Sequence, residues 1–259
     1  MKTLELFALN GKVALVTGGA GIVGKFLVRG LAEAGAAVVI SSRNADSCHV
    51  AAEEMKREGL DVSAEQCDFT SEAEIRSLRQ RLLDRYGRID ILFNNAVARS
   101  GGELLDTSAG EWESVMALNS TGLFLACRLF AEAMIDQKSG SIVNVASIYG
   151  MVGPDFSLYE GTPVHNSVSY AYAKGGMINL TRYLASYLAP HGVRVNALSP
   201  GGVLAGQPER FIRNYNQRVP MGRLAQGEDL RGIAVFLASD ASAYITGQNI
   251  AVDGGWTAI

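Results

Sequence analysis

Short apolar, β-branched runs alternate with helix-length segments from Val13 to Val252, and few folds accommodate that rhythm. Val13 to Val16, Ala37 to Ser41, Val62 to Cys67, Ile89 to Phe93, Ser141 to Val145, Val193 to Leu198 and Asn249 to Val252 read as strands. Helices are predicted over Ile22 to Ala34, Asp46 to Glu58, Ser71 to Arg85, Glu111 to Asp136, Val168 to Leu188 and Asp229 to Ser239. Strands that are apolar throughout, rather than alternating, are covered on both faces, as in a parallel sheet between helix layers. No Pro/Ser-rich linker or internal repeat interrupts the series. The pattern predicts one domain over residues 1–259, with an α/β fold: a Rossmann-type doubly wound parallel sheet in three α/β/α layers.

Composition removes several classes of partner. The chain has 259 residues, 48% of them hydrophobic, enough for a sizeable core. A formal net charge of -3 provides no basic surface, so nucleic acid is not an expected partner. Cys48, Cys67 and Cys127 are odd in number and lack metal-ligand spacing, which predicts reduced thiols and no metal site. Lys2 to Lys12 is of mixed polarity and does not resemble a signal peptide. No apolar run approaches membrane-spanning length, so a soluble cytoplasmic protein is expected.

Two local patterns carry chemistry. Thr17-Gly18-Gly19-Ala20-Gly21-Ile22-Val23-Gly24 follows the first strand and opens the first helix. There, glycines allow a pyrophosphate to approach the backbone, and free N–H groups at the helix start attract negative charge. Tyr170-Ala171-Tyr172-Ala173-Lys174 sets Tyr170 and Lys174 one turn apart on a helix, sharing a face. A fixed ammonium favours the phenolate, so Tyr170 is a candidate acid/base for a hydroxyl or carbonyl substrate. Tyr172 lies off that face.

With these motifs in order, the chain resembles the short-chain dehydrogenase/reductase family, single-domain branch, over nearly its full length. Thr17 to Gly24 is similar to that family's cofactor loop, Asn94-Asn95-Ala96 to its motif after the fourth strand, and Tyr170 with Lys174 to its Tyr-x-x-x-Lys. Asn119, Ser147, Ser199-Pro200-Gly201 and Asp253-Gly254-Gly255 match further positions. The resemblance implies an NAD(P)-dependent enzyme interconverting a secondary alcohol and a ketone. Tyr170 would be the acid/base, Lys174 its cation and a ligand of the nicotinamide ribose, Ser147 the group that orients the substrate oxygen, and Asn119 the holder of a proton-relay water. It also implies cofactor contacts from Gly18, Gly21 and Ile22 in the loop, Asp68 and Phe69 at the adenine, Asn95 and Ala96 after the fourth strand, and Pro200, Gly201 and Val203 at the nicotinamide. Relatives are commonly tetramers, so a homotetramer is expected.

The chain departs from the family pattern in three places. Gly21 and Ile22 stand where many single-domain relatives carry glycine one place later, a spacing closer to the extended branch. Val97 replaces the last glycine of the Asn-Asn-Ala-Gly motif. No threonine stands near Ala205, which removes one expected carboxamide contact.

Specificity is read at two more places. The second strand ends Ser41-Ser42-Arg43 with no carboxylate; Ser42 and Arg43 could bind a 2′-phosphate, which favours NADP over NAD. The alternative for Arg43 is a surface arginine beside the adenine. Between Ser147 and Tyr170 runs an unusually long segment, expected to form a loop beside the catalytic oxygen. Its Asp155, Tyr159, Glu160, His165 and Asn166, with Arg99 after the fourth strand, are candidate contacts for a polar small-molecule substrate such as a sugar, sugar acid or polyol. A surface loop or subunit contact is the alternative. Leu204 to Arg223 is expected to be a lid, with Arg210, Arg213 and Arg218 on a solvated helix face. A 3-ketoacyl or other apolar-carbonyl reductase is the rival enzyme. A dinucleotide-sensing binding protein is the rival of another class, although it would have no need of Asn119, Ser147, Tyr170 and Lys174 together.

Overall fold

The computed structural model describes residues 2–99 and 102–259. Along the chain come β1 (Val13–Thr17), α1 (Ile22–Glu33), β2 (Ala37–Ser42), α2 (Ala45–Arg57), β3 (Val62–Gln66), α3 (Glu72–Tyr86) and β4 (Ile91–Asn94). Then follow α4 (Ala109–Met116), α5 (Leu123–Gln137), β5 (Gly140–Val145), α6 (Val168–Leu188), β6 (Val193–Pro200), α7 (Glu209–Arg218), α8 (Arg231–Ala238) and β7 (Asn249–Val252). The seven strands form one sheet in the order β3-β2-β1-β4-β5-β6-β7, and every pairing is parallel.

The expected three layers are present. On one face, Leu78 of α3, Phe130 of α5 and Ile178 of α6 pack on Leu92 and Ile142 of the sheet. On the other, Leu27 of α1, Met55 of α2 and Leu237 of α8 pack on Val16, Ile40 and Phe93. Helix starts are marked by local chemistry: Asn44 accepts from the Ser47 N–H, and Ser71 from that of Glu74. Ser108 and Glu111 form a reciprocal capping box on α4. β1 and β4 are neighbours, but the chain leaves them in opposite directions across the sheet. Their loops therefore part and open a crevice at the carboxyl ends of the strands.

Two expectations are corrected. The helix predicted over Glu111 to Asp136 is interrupted by a π-helical stretch, Ala117–Gly122, between α4 and α5. The combined run Ala109–Gln137, at 29 residues, is also long and apolar enough by length and composition to cross a bilayer, contrary to the expectation that no run reaches that size. Its apolar residues, Leu129, Phe130 and Met134 among them, are core side chains packed on the sheet face.

Candidate active site

A cleft of about 780 Å³ opens at the carboxyl ends of the strands, lined from the loops after β1, β4, β5 and β6 and from the start of α6. At its dinucleotide end two loops are tied together. The Thr17 hydroxyl accepts from the backbone N–H groups of Asn95 and Ala96 at 3.0 and 2.9 Å. The Asn95 amide donates to the carbonyls of Thr17 and Gly18 at 3.0 and 2.9 Å. Gly18 has φ +62°, and a Cβ built there would stand 2.9 Å from the Ala96 Cα, so only glycine fits. Gly24 packs equally close: its Cβ would fall 2.4 Å from the Gly18 carbonyl oxygen.

α1 begins at Gly21 with no side-chain cap, and Gly21, Ile22 and Val23 line the cleft. Uncapped first-turn N–H groups facing a glycine cradle suit a pyrophosphate, so these residues fit a dinucleotide. The glycine missing at position 22 is not needed, because Ile22 projects 58% exposed beside the opening.

Ser42 lines the cleft together with Ser47, which the sequence did not single out. Arg43 is exposed beside them, and its guanidinium has no ion pair among the described residues. Asp68 and Phe69 do not line the cleft. The Asp68 carboxylate accepts from the N–H and hydroxyl of Thr70, and Phe69 is a core side chain. Pro200, Gly201 and Val203 line the opposite wall. Where a threonine was missed, Gln207 holds the loop: it accepts from the Ala205 N–H and donates to the Val203 carbonyl, both at 2.7 Å.

The proton-handling residues meet at the middle of the cleft. Tyr170 and Lys174 share a face of α6 near its start, with the Lys174 ammonium 5.5 Å from the Tyr170 ring centre. Arg99 lies over the same ring, its guanidinium carbon at 4.8 Å. Lys174 is only 3% exposed and donates to the Val145 carbonyl at 2.5 Å. Burial, then the charge of Arg99, pushes its ammonium down to about 7. Arg99 therefore adds a second cationic side chain against the phenol, where the sequence assigned that role to Lys174 alone. Ser147 is buried in the same wall, its hydroxyl accepting from the Tyr149 N–H at 3.2 Å.

Asn119 is placed differently from the expectation. Its carboxamide lies in the π-helical stretch and grips Ala98, accepting from its N–H and donating to its carbonyl, both at 2.8 Å. It does not line the main cleft, but borders a small adjoining cavity of about 10 Å³ with Thr17 and Ala96, room for about one water. The side chain thus anchors the segment that carries Arg99.

The long segment after Ser147 is more ordered than a surface loop. Ile148 and Leu158 join Phe211 and Tyr215 of α7, Val219, Leu224 and Trp256 in a third apolar cluster. Asn214 donates to the Leu158 carbonyl at 3.1 Å, and Arg218 lies 3.5 Å from Asp155. Segment and lid are therefore one packed unit. Arg213 pairs with Glu209, and Arg210, Arg213 and Arg218 do not line the cleft, as a solvated face requires. Tyr159 and His165 line it; Glu160 does not. Asn166, also named from the sequence, lines it as well, and Asp155 does not. Tyr149 and Tyr215 were missed. Tyr149 and Tyr159 share a hydroxyl–hydroxyl bond of 2.7 Å, and Asn166 donates to Tyr159 at 3.2 Å. Tyr215 stacks on Trp256 and accepts from the Gly202 N–H. Burial pushes the Tyr149 phenol up and that of Tyr215 to about 12, so both stay protonated donors. Their helical or loop positions carry no motif, and only the fold brings them to the opening.

Comparison with known proteins agrees with this geometry. A family model described as "Enoyl-(Acyl carrier protein) reductase" matches residues 19–257. The chain is similar to a 3-oxoacyl-[acyl-carrier-protein] reductase of Synechocystis sp., 36% identical over 96% of this chain and 98% of that one. It is also similar to the crystal structure of a gluconate 5-dehydrogenase from Burkholderia cenocepacia in complex with NADP and tartrate. That likeness has a TM-score of 0.91 and 32% identity over 100% of both chains. A short-chain dehydrogenase from Leptospira borgpetersenii with bound NAD+ gives a TM-score of 0.87 and 33% identity over 96% of this chain and 94% of that one. The chain belongs to the short-chain dehydrogenase/reductase family, in its single-domain form. It is an oxidoreductase acting on CH–OH groups with a nicotinamide dinucleotide cofactor.

Proposed function

We propose that the protein interconverts a secondary alcohol and a ketone on a polyhydroxylated carboxylate, a sugar acid, with NADP preferred. One observation carries the substrate class: Arg99 stands 4.8 Å over the Tyr170 ring, at the reacting end of a cleft whose described lining contains no aspartate or glutamate. A guanidinium with no competing carboxylate suits an anionic group on the substrate. Tyr149, Tyr159, His165 and Asn166 make the same end polar, which suits hydroxyls better than an acyl chain. The gluconate 5-dehydrogenase likeness supports this choice, while the 3-oxoacyl reductase likeness keeps an acyl ketone as the rival. For the cofactor, Ser42 and Arg43 at the end of β2 and Ser47 in the first turn of α2, with no carboxylate among the cleft's lining, support NADP.

In this proposal Tyr170 gives its proton to the carbonyl oxygen in reduction, or removes the hydroxyl proton in oxidation. Ser147 holds that oxygen and stabilises the charge that develops on it. Lys174 and Arg99 favour the phenolate, and Asn119 fixes the Arg99 segment and borders the one-water cavity. The nicotinamide, when bound, supplies or takes the hydride. One domain over 1–259 and a cytoplasmic homotetramer complete the proposal. The single sheet supports the first, and the exposed Tyr172, Tyr183 and Tyr187 along α6 support a subunit contact.

The test is a panel of D-gluconate, related sugar acids, neutral secondary alcohols and an acetoacetyl thioester, each with NADP(H) and NAD(H). Sugar acids with NADP should give the highest kcat/KM. Arg99→Gln should cost them roughly 10- to 100-fold more than it costs neutral alcohols, the size of a lost hydrogen bond to a charged group, because only the sugar acids lose the carboxylate contact while all substrates share the loss of a cation beside Tyr170. Highest turnover on the thioester would hand the function to the rival.

A further inference from the structure

We propose that Asn166, with Tyr159 and Tyr149, forms a subsite that reads one neutral hydroxyl of the substrate on a carbon near the reacting one. The inference rests on the sugar-acid proposal above and deepens it. Asn166 is 8% exposed, lines the cleft, and is fixed at one end only: its Nδ2 donates to the Tyr159 hydroxyl at 3.2 Å. Its Oδ1 is buried with no hydrogen-bond partner among the described residues. A buried carbonyl left unpaired costs stability, so one facing a binding cleft marks the place of a ligand's donor.

Tyr149 and Tyr159 supply the complementary half. Their mutual bond of 2.7 Å uses one phenolic proton and leaves the other to donate. Burial keeps the Tyr149 phenol protonated across the physiological range. An unpaired acceptor beside a free donor matches an alcohol, which donates one hydrogen bond and accepts another. A carboxylate offers acceptors only and would face Oδ1 with a second oxygen. A methylene satisfies neither group.

The chain's own geometry puts the subsite beside the reaction. Tyr149 follows Ser147 by two residues, and Asn166 precedes Tyr170 by four, just before the start of α6. Tyr159 is held against Phe211 with ring centres 5.7 Å apart, so the cluster is backed by the third apolar core. The carboxylate and the hydroxyl are therefore read by separate groups, Arg99 for one and Asn166 with the tyrosines for the other.

The experiment compares wild type, N166L, N166D and Y159F on D-gluconate and its mono-deoxy analogues with NADP. It reads kcat/KM, together with calorimetric binding of the same probes to the NADP-loaded protein. Wild type should lose roughly 5- to 100-fold on one deoxy analogue, the cost of an unpaired buried group. N166L should lose a similar factor on D-gluconate and nothing further on that analogue, while N166D, which keeps the acceptor, retains most of the discrimination. Y159F should lose part of it. Should N166L misfold, as judged by circular dichroism and NADP affinity, Y159F and N166D carry the comparison.

Equal losses on every probe, or a wild type indifferent to all the deoxy analogues, would overturn the subsite. If D-gluconate binds through Asn166 without being oxidised, the subsite stands and the proposed reaction falls. If it is oxidised with no dependence on Asn166, the reaction stands and the subsite falls.

Discussion

Where β1 and β4 end, the polar groups are spent on the fold itself: the Thr17 hydroxyl serves two backbone N–H groups, and the Asn95 amide answers with two carbonyls. On the other side of Tyr170 the accounting is incomplete, for among the described residues Asn166 keeps an unpaired buried oxygen and the tyrosine pair keeps a spare proton. Backing differs in the same sense. The dinucleotide end rests directly on the sheet and α1, with Gly18 against Ala96 at a separation no side chain tolerates. The substrate end rests on the small apolar cluster that Leu158, Phe211, Tyr215 and Trp256 make outside the main core. A cofactor of constant shape is met by a rigid, internally satisfied frame, whereas substrate choice is left to a separately packed unit with bonds to spare. Tyr170 stands at the seam, and changes on either side should separate in what they affect.

The largest effect should fall on the seam itself. Tyr170→Phe removes the proton carrier and leaves both walls in place. Turnover of the best substrate should fall roughly 10²–10⁴-fold, with NADP(H) affinity within a fewfold of wild type by fluorescence titration. If turnover survives, proton transfer belongs to another group and the seam has been misplaced. Next in size is a change confined to the dinucleotide end. Gly18→Ala forces a Cβ into the left-handed region at φ +62° and onto the Ala96 backbone. The strain should cost about 1–3 kcal/mol of stability, read as a lowered Tm, and weaken NADP(H) binding, with the ranking of substrates unchanged. A changed ranking would show that the two ends are one mechanical unit.

The contrast also explains how far the sequence could be read. Gly18, Gly21, Ser147, Tyr170 and Lys174 follow strand ends or share one helical face, so local spacing places them. The strands and helices of the sheet layers were legible for the same reason, since burial on both faces writes itself as unbroken apolar runs. Asn166 was named only as one of several polar residues in the long segment, and Tyr149 and Tyr215 have no signature at all. Tyr159 meets Phe211, and Tyr215 meets Trp256, only after α7 folds back over the segment from Gly150 to Asn166. The π-helical stretch was equally hidden, because its apolar spacing matches that of the helices on either side. Asn119 was found by position, yet its side chain is spent on Ala98 and it acts on the site through that loop.

The last effect, spread over about two pH units rather than met at one, tests the residue that joins the two ends. Lys174 is buried, with Val145 its hydrogen-bond partner and Arg99 the cation nearby that disfavours its charge, and its ammonium is pushed down to about 7. In the unfolded chain an ordinary lysine holds its proton to roughly pH 10.4. Below about pH 7 both states carry that proton, and the burial penalty on the folded protein is complete. Between the two values the unfolded state binds more protons, so stability must rise with pH, by at most about 1.4 kcal/mol per unit for one proton. Above the upper value the contribution is flat. Thermal unfolding of the cofactor-free protein from pH 6 to 9 should therefore show wild type gaining on Lys174→Met as pH increases, most clearly above neutrality. Parallel profiles would mean that Lys174 stays charged in the folded state. The ammonium would then be a permanent cation beside Tyr170, and Arg99 would be free to act on substrate alone.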